Sequence, residues 1–263
     1  MTRRIKRLSD FEITLNITND DFIRPPRDAQ RNWLLNKSLA EFVDDLNSLH
    51  TIAAGFVPGI DQFDLADRTQ KVLADDEIME DWQIPIMRAM AEVAAAPDRD
   101  LLEVGFGRGV SADMIQAIGV KSHTIIECND SVVERYQQWR EPYPQRDIRL
   151  LHGRWQDVTD QLDQYDSIFF HTYALNEEEY LETAVKSATF AEHFFPTAAT
   201  HLREGGVFTY LTNEIDSFSR AHQRAVFRYF SAFTLHRVEG LDLPDDIHDT
   251  WWADSMIVIK AVK

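Results

Sequence analysis

The chain has 263 residues, 44% of them hydrophobic, a size that buries one substantial core and favours one α/β domain with an extension over two equal domains. Its formal charge of −17 and pI near 4.8 argue against binding long nucleic acid, whose affinity is built from many Lys and Arg contacts to phosphate. No apolar run reaches the roughly eighteen residues a membrane span needs, and the single cysteine, Cys128, excludes an internal disulfide framework and a cysteine zinc site; no metal is expected.

The first residues, Met1-Thr2-Arg3-Arg4-Ile5-Lys6-Arg7, are basic without an apolar stretch behind them, so a secretory signal is not expected and a cytoplasmic location is. Residues 1–28 read as a polar arm with one short strand at 11–15, closed by Pro25-Pro26. Over 29–54 the apolar residues Trp33, Leu34, Leu39, Phe42, Val43, Leu46 and Leu49 recur at helical spacing. Helices of that kind pack on the core or on a second copy, and a homodimer is expected. Phe56-Val57-Pro58-Gly59 breaks the pattern. A helix is predicted over 64–73 and another over 76–96, the latter with Ile78, Met79, Trp82, Ile86, Met87 and Met90 on one face and with Pro85 kinking it or ending its first half. Residues 1–75 are therefore taken as an extension and 76–263 as the catalytic domain.

Strand–helix alternation starts at Leu101 and continues through 124–127, 148–152, 167–170 and 206–211, with an antiparallel pair near 233–241 and 255–261. His201 and His222 fall on predicted helices and read as surface residues.

The richest stretch is Leu101-Leu102-Glu103-Val104-Gly105-Phe106-Gly107-Arg108-Gly109, followed by Ile125-Ile126-Glu127-Cys128-Asn129. Strand, glycine turn, helix, strand and carboxylate in that order describe half of a nucleotide-binding sheet. Gly105, Gly107 and Gly109 let the backbone approach a ligand, and Glu127 can accept from both hydroxyls of a ribose. Glu103 tips the choice of cofactor: an acid there suits an amino-acid tail bearing a cation and repels a pyrophosphate, which favours S-adenosylmethionine over NAD. Cys128 reads as packing beside the ligand.

These residues resemble the guanidinoacetate N-methyltransferases, class I S-adenosylmethionine enzymes related in fold to arginine methyltransferases. The resemblance spans residues 56–263 and rests on Phe56-x-Pro58-Gly59, Trp82-x-x-Pro85-x-Met87, Leu102-Glu103-Val104-Gly105-Phe106-Gly107, Ile125-Ile126-Glu127-Cys128-Asn129-Asp130, Gly153-x-Trp155-x-Asp157-Val158, Thr172-Tyr173 and Gly205-Gly206-Val207-x-Thr209-Tyr210. It implies a Rossmann-like α/β sheet flanked by helices. It also implies a cofactor held by Met79, Met87, the 103–108 loop, Glu127, Asn129, Trp155 and Gln156, with Thr172 and Cys128 beside them, and leaving as S-adenosylhomocysteine. Trp155 offers an apolar face to adenine, and the two methionines can cover the sulfonium.

Two departures bear on the acceptor. By the resemblance, members acting on guanidinoacetate hold its guanidinium with two carboxylates, at positions that here are Gln83 and His171, and a further pocket tryptophan has no counterpart because Asp61-Gln62-Phe63-Asp64 is shorter. Each lost anion removes a charge-assisted pair of roughly 1.5–3 kcal/mol. A carboxylate acceptor needs no base, and Gln83 and His171 can both donate to it, so O-methylation of a small carboxylic acid leads. The resemblance implies Trp82, Gln83, His171, Leu211 and Thr212 around the acceptor, with His171, Gln83 and Tyr173 nearest the chemistry. A phenol or amine with His171 as base stays open, as does a guanidino acceptor if Glu80, Asp81 or Glu178 supplies the charge. An inactive cofactor-binding assembly module is the non-enzymatic alternative.

Overall fold

The computed structural model describes Thr69, residues 71–175, Glu179, residues 187–212, Glu214, and residues 218–243 and 254–263. All of them fall in the compact unit Leu65–Lys263. The arm and strand expected over 1–28, the helices expected over 29–54, the Phe56-x-Pro58-Gly59 match and Glu178 lie outside the described residues. Of the helix expected over 64–73, Thr69 and residues 71–73 are described, and none is helical.

The segment read as a helix over 76–96, kinked or divided at Pro85, is three pieces. A single turn, α1 (Asp75–Ile78), stops at Met79, whose backbone is extended, and a 3₁₀ turn, Asp81–Gln83, leads into α2 (Ile84–Ala94). Pro85 sits in the first turn of α2, where its missing N–H costs no helical bond, so it starts the helix and does not bend it. The break puts Met79, Trp82 and Gln83 on irregular backbone at the head of α2.

Beyond α2 the chain alternates as expected: β1 (Asp100–Val104), α3 (Val110–Ile118), β2 (Ser122–Glu127), α4 (Asp130–Arg140), β3 (Ile148–His152), β4 (Tyr165–Phe170), α5 (Phe195–His201), β5 (Leu202–Leu211), α6 (Arg220–Phe227), β6 (Ala232–Glu239) and β7 (Ser255–Val262). The strands form a seven-stranded sheet in the order β3-β2-β1-β4-β5-β7-β6, with β7 antiparallel to both neighbours and the other pairings parallel. Central strands buried on both faces must be apolar almost throughout, and Leu101, Leu102 and Val104 of β1 meet that demand. α2 covers one face through Met90, Ala91 and Ala94 against Phe169 and Val258. The other face packs Phe194, Phe195, Phe208, Tyr210 and Val226.

His222 overturns its surface reading. It lies on α6 with no exposed area, beside Phe195 and Phe218, and its ring nitrogens are taken by Tyr210 and Glu214. One amphipathic turn carries it inward with Ala225 and Val226. His201 is partly exposed at the end of α5.

Strand order reverses between β1 and β4. Their carboxyl ends therefore open a crevice, the usual ligand position in such sheets.

Candidate active site

The crevice holds a cavity of about 700 Å³ bounded by the glycine loop after β1, the end of β2, the loop after β4 and the segment before α2. A second hollow of about 330 Å³ shares Gly105, Glu127, Cys128, Thr172, Tyr173 and Leu175 with it and extends to Trp155 and Gln156.

The loop can run this close because Gly105 lacks a side chain. Its φ is +93°, and a Cβ there would stand 2.2 Å from the carbonyl oxygen of His171. Glu127 ends β2 at the shared wall. One carboxylate oxygen accepts from Phe106 N (3.0 Å) and Gly107 N (3.3 Å), the other from Cys128 N (2.7 Å) and Asn129 N (2.9 Å), which fixes the group where the two hollows join. Asn129 borders the cavity, but its side chain caps α4 through Val132 N and donates to the Lys71 carbonyl. Phe106 also borders it, edge-on to Tyr136 and Trp139.

Met79 and Met87, both buried, line the cavity together with the loop. Trp155 presents a half-buried ring braced edge-on by Phe194. Gln156 donates to Glu179, whose other oxygen accepts from Leu175 N, so one carboxylate ties the loop after β3 to the loop after β4. Burial, with the adjacent Glu127 charge, pushes the Cys128 thiol up to about 12, and it stays protonated beside the cavity.

Glu103 does not border the cavity. It is fully buried on β1, accepts from Ser111 and pairs with His123 Nε2 at 2.9 Å, while Ser111 itself lines the cavity. Ser111 on α3 and His123 on β2 take its carboxylate oxygens, and these partners hold the acid inside the sheet–helix packing. Leu211 and Thr212 are likewise absent from both cavity walls. Leu211 packs with the α2 side of the core, and the buried Thr212 hydroxyl accepts from Glu214 N.

Where the segment before α2 meets the loop after β4, three uncharged side chains come together. The Tyr173 hydroxyl is 3.4 Å from His171 Nε2 and 3.5 Å from Gln83 Nε2, both long contacts, while Gln83 Oε1 is buried and meets no partner among the described residues. Burial lowers the His171 pKa to about 4, so the imidazole is neutral across the physiological range. Trp82 stands apart: its indole donates to Glu80 and it faces a separate cleft. That cleft, of about 890 Å³, is lined by Asp75, Asp76, Glu80, Asp81 and Asp242 against one cation, Arg108, and shares Met79 and Arg108 with the main cavity.

Sequence reasoning reached Arg108 only as part of the 103–108 loop, with no role of its own, and missed Glu179. A lone cation inside a glycine loop was the available sign for the first; the second hides in the acidic run 177–179. Among the described residues, no group of three or more His, Cys, Asp or Glu side chains could hold a metal ion, and no helix is long and apolar enough to cross a membrane.

An acid at the end of the second strand, an aromatic face and two thioethers around a glycine loop suit an adenosyl group joined to a sulfonium better than a pyrophosphate. With the reversed seventh strand, they define a class I methyltransferase, and its methyl donor is S-adenosylmethionine. The family model for guanidinoacetate N-methyltransferase matches residues 54–230, more than half of the chain, and the chain belongs to that family. It is also similar to protein arginine N-methyltransferase 2 of Candida glabrata, 30% identical over 118 residues (41% of this chain, 28% of that protein). The protein of the same name from Gibberella zeae is 30% identical over 112 residues (36% and 26%). The chain thus matches under a third of the length of these relatives. Among solved structures, precorrin-6y C5,15-methyltransferase from Geobacter metallireducens aligns with a TM-score of 0.49 and 12% identity, over 73% of this chain and 94% of that one.

Proposed function

We propose that the chain methylates a small carboxylic acid on oxygen, giving a methyl ester. The observation that carries this reading is the neutrality of Gln83, Tyr173 and His171 at the acceptor end. Bound S-adenosylmethionine supplies a methyl group on a positively charged sulfur, so a cationic acceptor beside it needs a counter-ion that these three side chains do not provide. A carboxylate carries its own complementary charge and no proton to remove. Gln83, Tyr173 and a neutral His171 can each offer one donor to such an anion and hold it in line, which is the chief task in a displacement of this kind.

A second reading is N-methylation of an amine or guanidine. The acid-lined cleft beside the cavity favours it, since five carboxylates against one guanidinium draw in a cation, and relatives named protein arginine N-methyltransferase point the same way. The cleft carboxylates are open to solvent and screened, so the groups nearest the reacting atom weigh more.

Labelled S-adenosylmethionine offered with a panel of carboxylic acids, phenols, amines and guanidines separates the readings. Product that loses its label in mild base, formed from carboxylic acids alone, is expected; base-stable label on amines or guanidines would replace the first reading with the second.

A further inference from the structure

Arg108 follows the second glycine of the loop and, like Met79, lines both the cofactor cavity and the acidic cleft. Its Nη1 donates to the Met79 carbonyl (2.9 Å) and to Asp81 (2.7 Å), and its Nε lies 4.0 Å from Asp75. Nη2, with two N–H donors, meets no protein acceptor among the described residues. The Asp81 side chain is 78% exposed, so that ion pair is weak and leaves the guanidinium available at the junction.

The geometry points to Arg108 as a carboxylate-binding residue, whose Nη2 edge takes one carboxylate group where the cavity and the cleft meet. The planar guanidinium is held at Nη1 by two acceptors, so the Nη2 edge is pre-oriented and a planar two-oxygen anion is its natural partner. Two ligands bring such a group to this place: the cofactor, through its amino-acid tail, and the acceptor of the proposed reaction. The inference rests on the chain binding S-adenosylmethionine; only its second arm rests on the acceptor being an acid.

The test is calorimetry on wild type, Arg108→Met and Arg108→Lys with two probes, S-adenosylhomocysteine and methylthioadenosine, which lacks the amino-acid tail. If the tail is the partner, Arg108→Met weakens S-adenosylhomocysteine about tenfold to a hundredfold and leaves methylthioadenosine unchanged. Arg108→Lys, which keeps the charge and loses the fork, then falls between. If the acceptor is the partner, S-adenosylhomocysteine affinity is kept and KM for the acid that wild type turns over rises by a similar factor at unchanged kcat. Equal loss of both probes would reduce Arg108 to a latch on the loop and overturn the inference. So would retention of both S-adenosylhomocysteine affinity and acceptor KM, or, where no acid is turned over, retention of that affinity alone. Wild type that bound neither probe would count against the cofactor assignment itself.

Discussion

The Tyr210 hydroxyl lies 2.7 Å from Nε2 of His222, whose Nδ1 is 3.0 Å from Glu214, so one imidazole ties β5 to α6 and to the loop between them. Burial keeps Tyr210 protonated by raising its pKa well above the usual value, so its O–H donates to Nε2 and Nδ1–H donates to Glu214. Tyr210→Phe would leave a buried nitrogen without its donor, at a cost of roughly 1–3 kcal/mol. Urea unfolding of the purified variant measures this, and an unchanged midpoint at unchanged slope would mean the relay contributes nothing.

The same relay predicts a pH dependence. Burial pushes the Glu214 carboxyl up, but hydrogen bonds from His222 and Ser219 outweigh it and hold the group below its ordinary 4.5. A depressed carboxyl stabilises the fold at pH values above the unfolded pKa, and that contribution disappears as pH falls through the folded value. The stability gap between wild type and Glu214→Gln should therefore be constant from pH 7 to about 5.5 and shrink below about 4.5. A gap that widened on acidification would reverse the sign and defeat the assignment.

His171 titrates in the opposite chemical sense but the same direction of stability. With a folded pKa near 4 against an unfolded 6.5, the unfolded chain binds the proton first, so stability falls as pH drops between those values. For the reaction, a neutral imidazole from pH 5.5 to 8 means kcat/KM carries no inflection near 6.5 from this residue. A bell limb at that pH, lost in His171→Asn, would show a charged His171 in the working enzyme.

Gly105 and Gly119 share a φ of +93° but differ in surroundings: a Cβ at 105 meets the His171 carbonyl oxygen at 2.2 Å, and at 119 it meets nothing within 4 Å. Gly119→Ala should cost only the strain of its own backbone, φ 93° and ψ 138°, roughly 1–3 kcal/mol. Gly105→Ala adds a backbone clash that no side-chain rotation relieves, so it should cost several kcal/mol more and displace the loop after β4. Thermal unfolding with and without S-adenosylhomocysteine compares them; equal losses would show that the two loops are not in contact.

The sheet was legible because its buried strands are short apolar runs ended by glycine or acid, as at Val104-Gly105 and Ile126-Glu127. Pro85 was legible as a punctuation mark but not as a helix start, since the same residue both kinks and opens helices and only the extended backbone at Met79 and Glu80 decides between them. The inward turn of Glu103 and of His222 escaped for a common reason. A polar side chain is buried when partners exist for it, and Ser111, His123, Tyr210 and Glu214 come from elsewhere in the chain, so no local pattern announces them. Arg108 and the Gln83–Tyr173–His171 meeting are also products of tertiary approach, across ninety residues in the case of Gln83 and Tyr173.

That meeting gives the sharpest test of acceptor choice. Gln83→Glu and His171→Asp each put an anion where a neutral group now faces Tyr173, and each charge-assisted bond to a cationic acceptor is worth roughly 1.5–3 kcal/mol, a factor of about ten to a hundred in relative kcat/KM. Two carboxylates so close raise one another's pKa, so the single variants should shift selectivity toward guanidines and amines more cleanly than the double one. Carboxylic acid turnover should fall in the same variants through like-charge repulsion. Competition assays with one acid and one guanidine in the same tube read the ratio directly, with S-adenosylhomocysteine affinity checked to show that the cofactor cavity is intact. A ratio that stayed the same while affinity was retained would mean that Gln83 and His171 do not face the acceptor, and the carboxylic acid reading would lose its support.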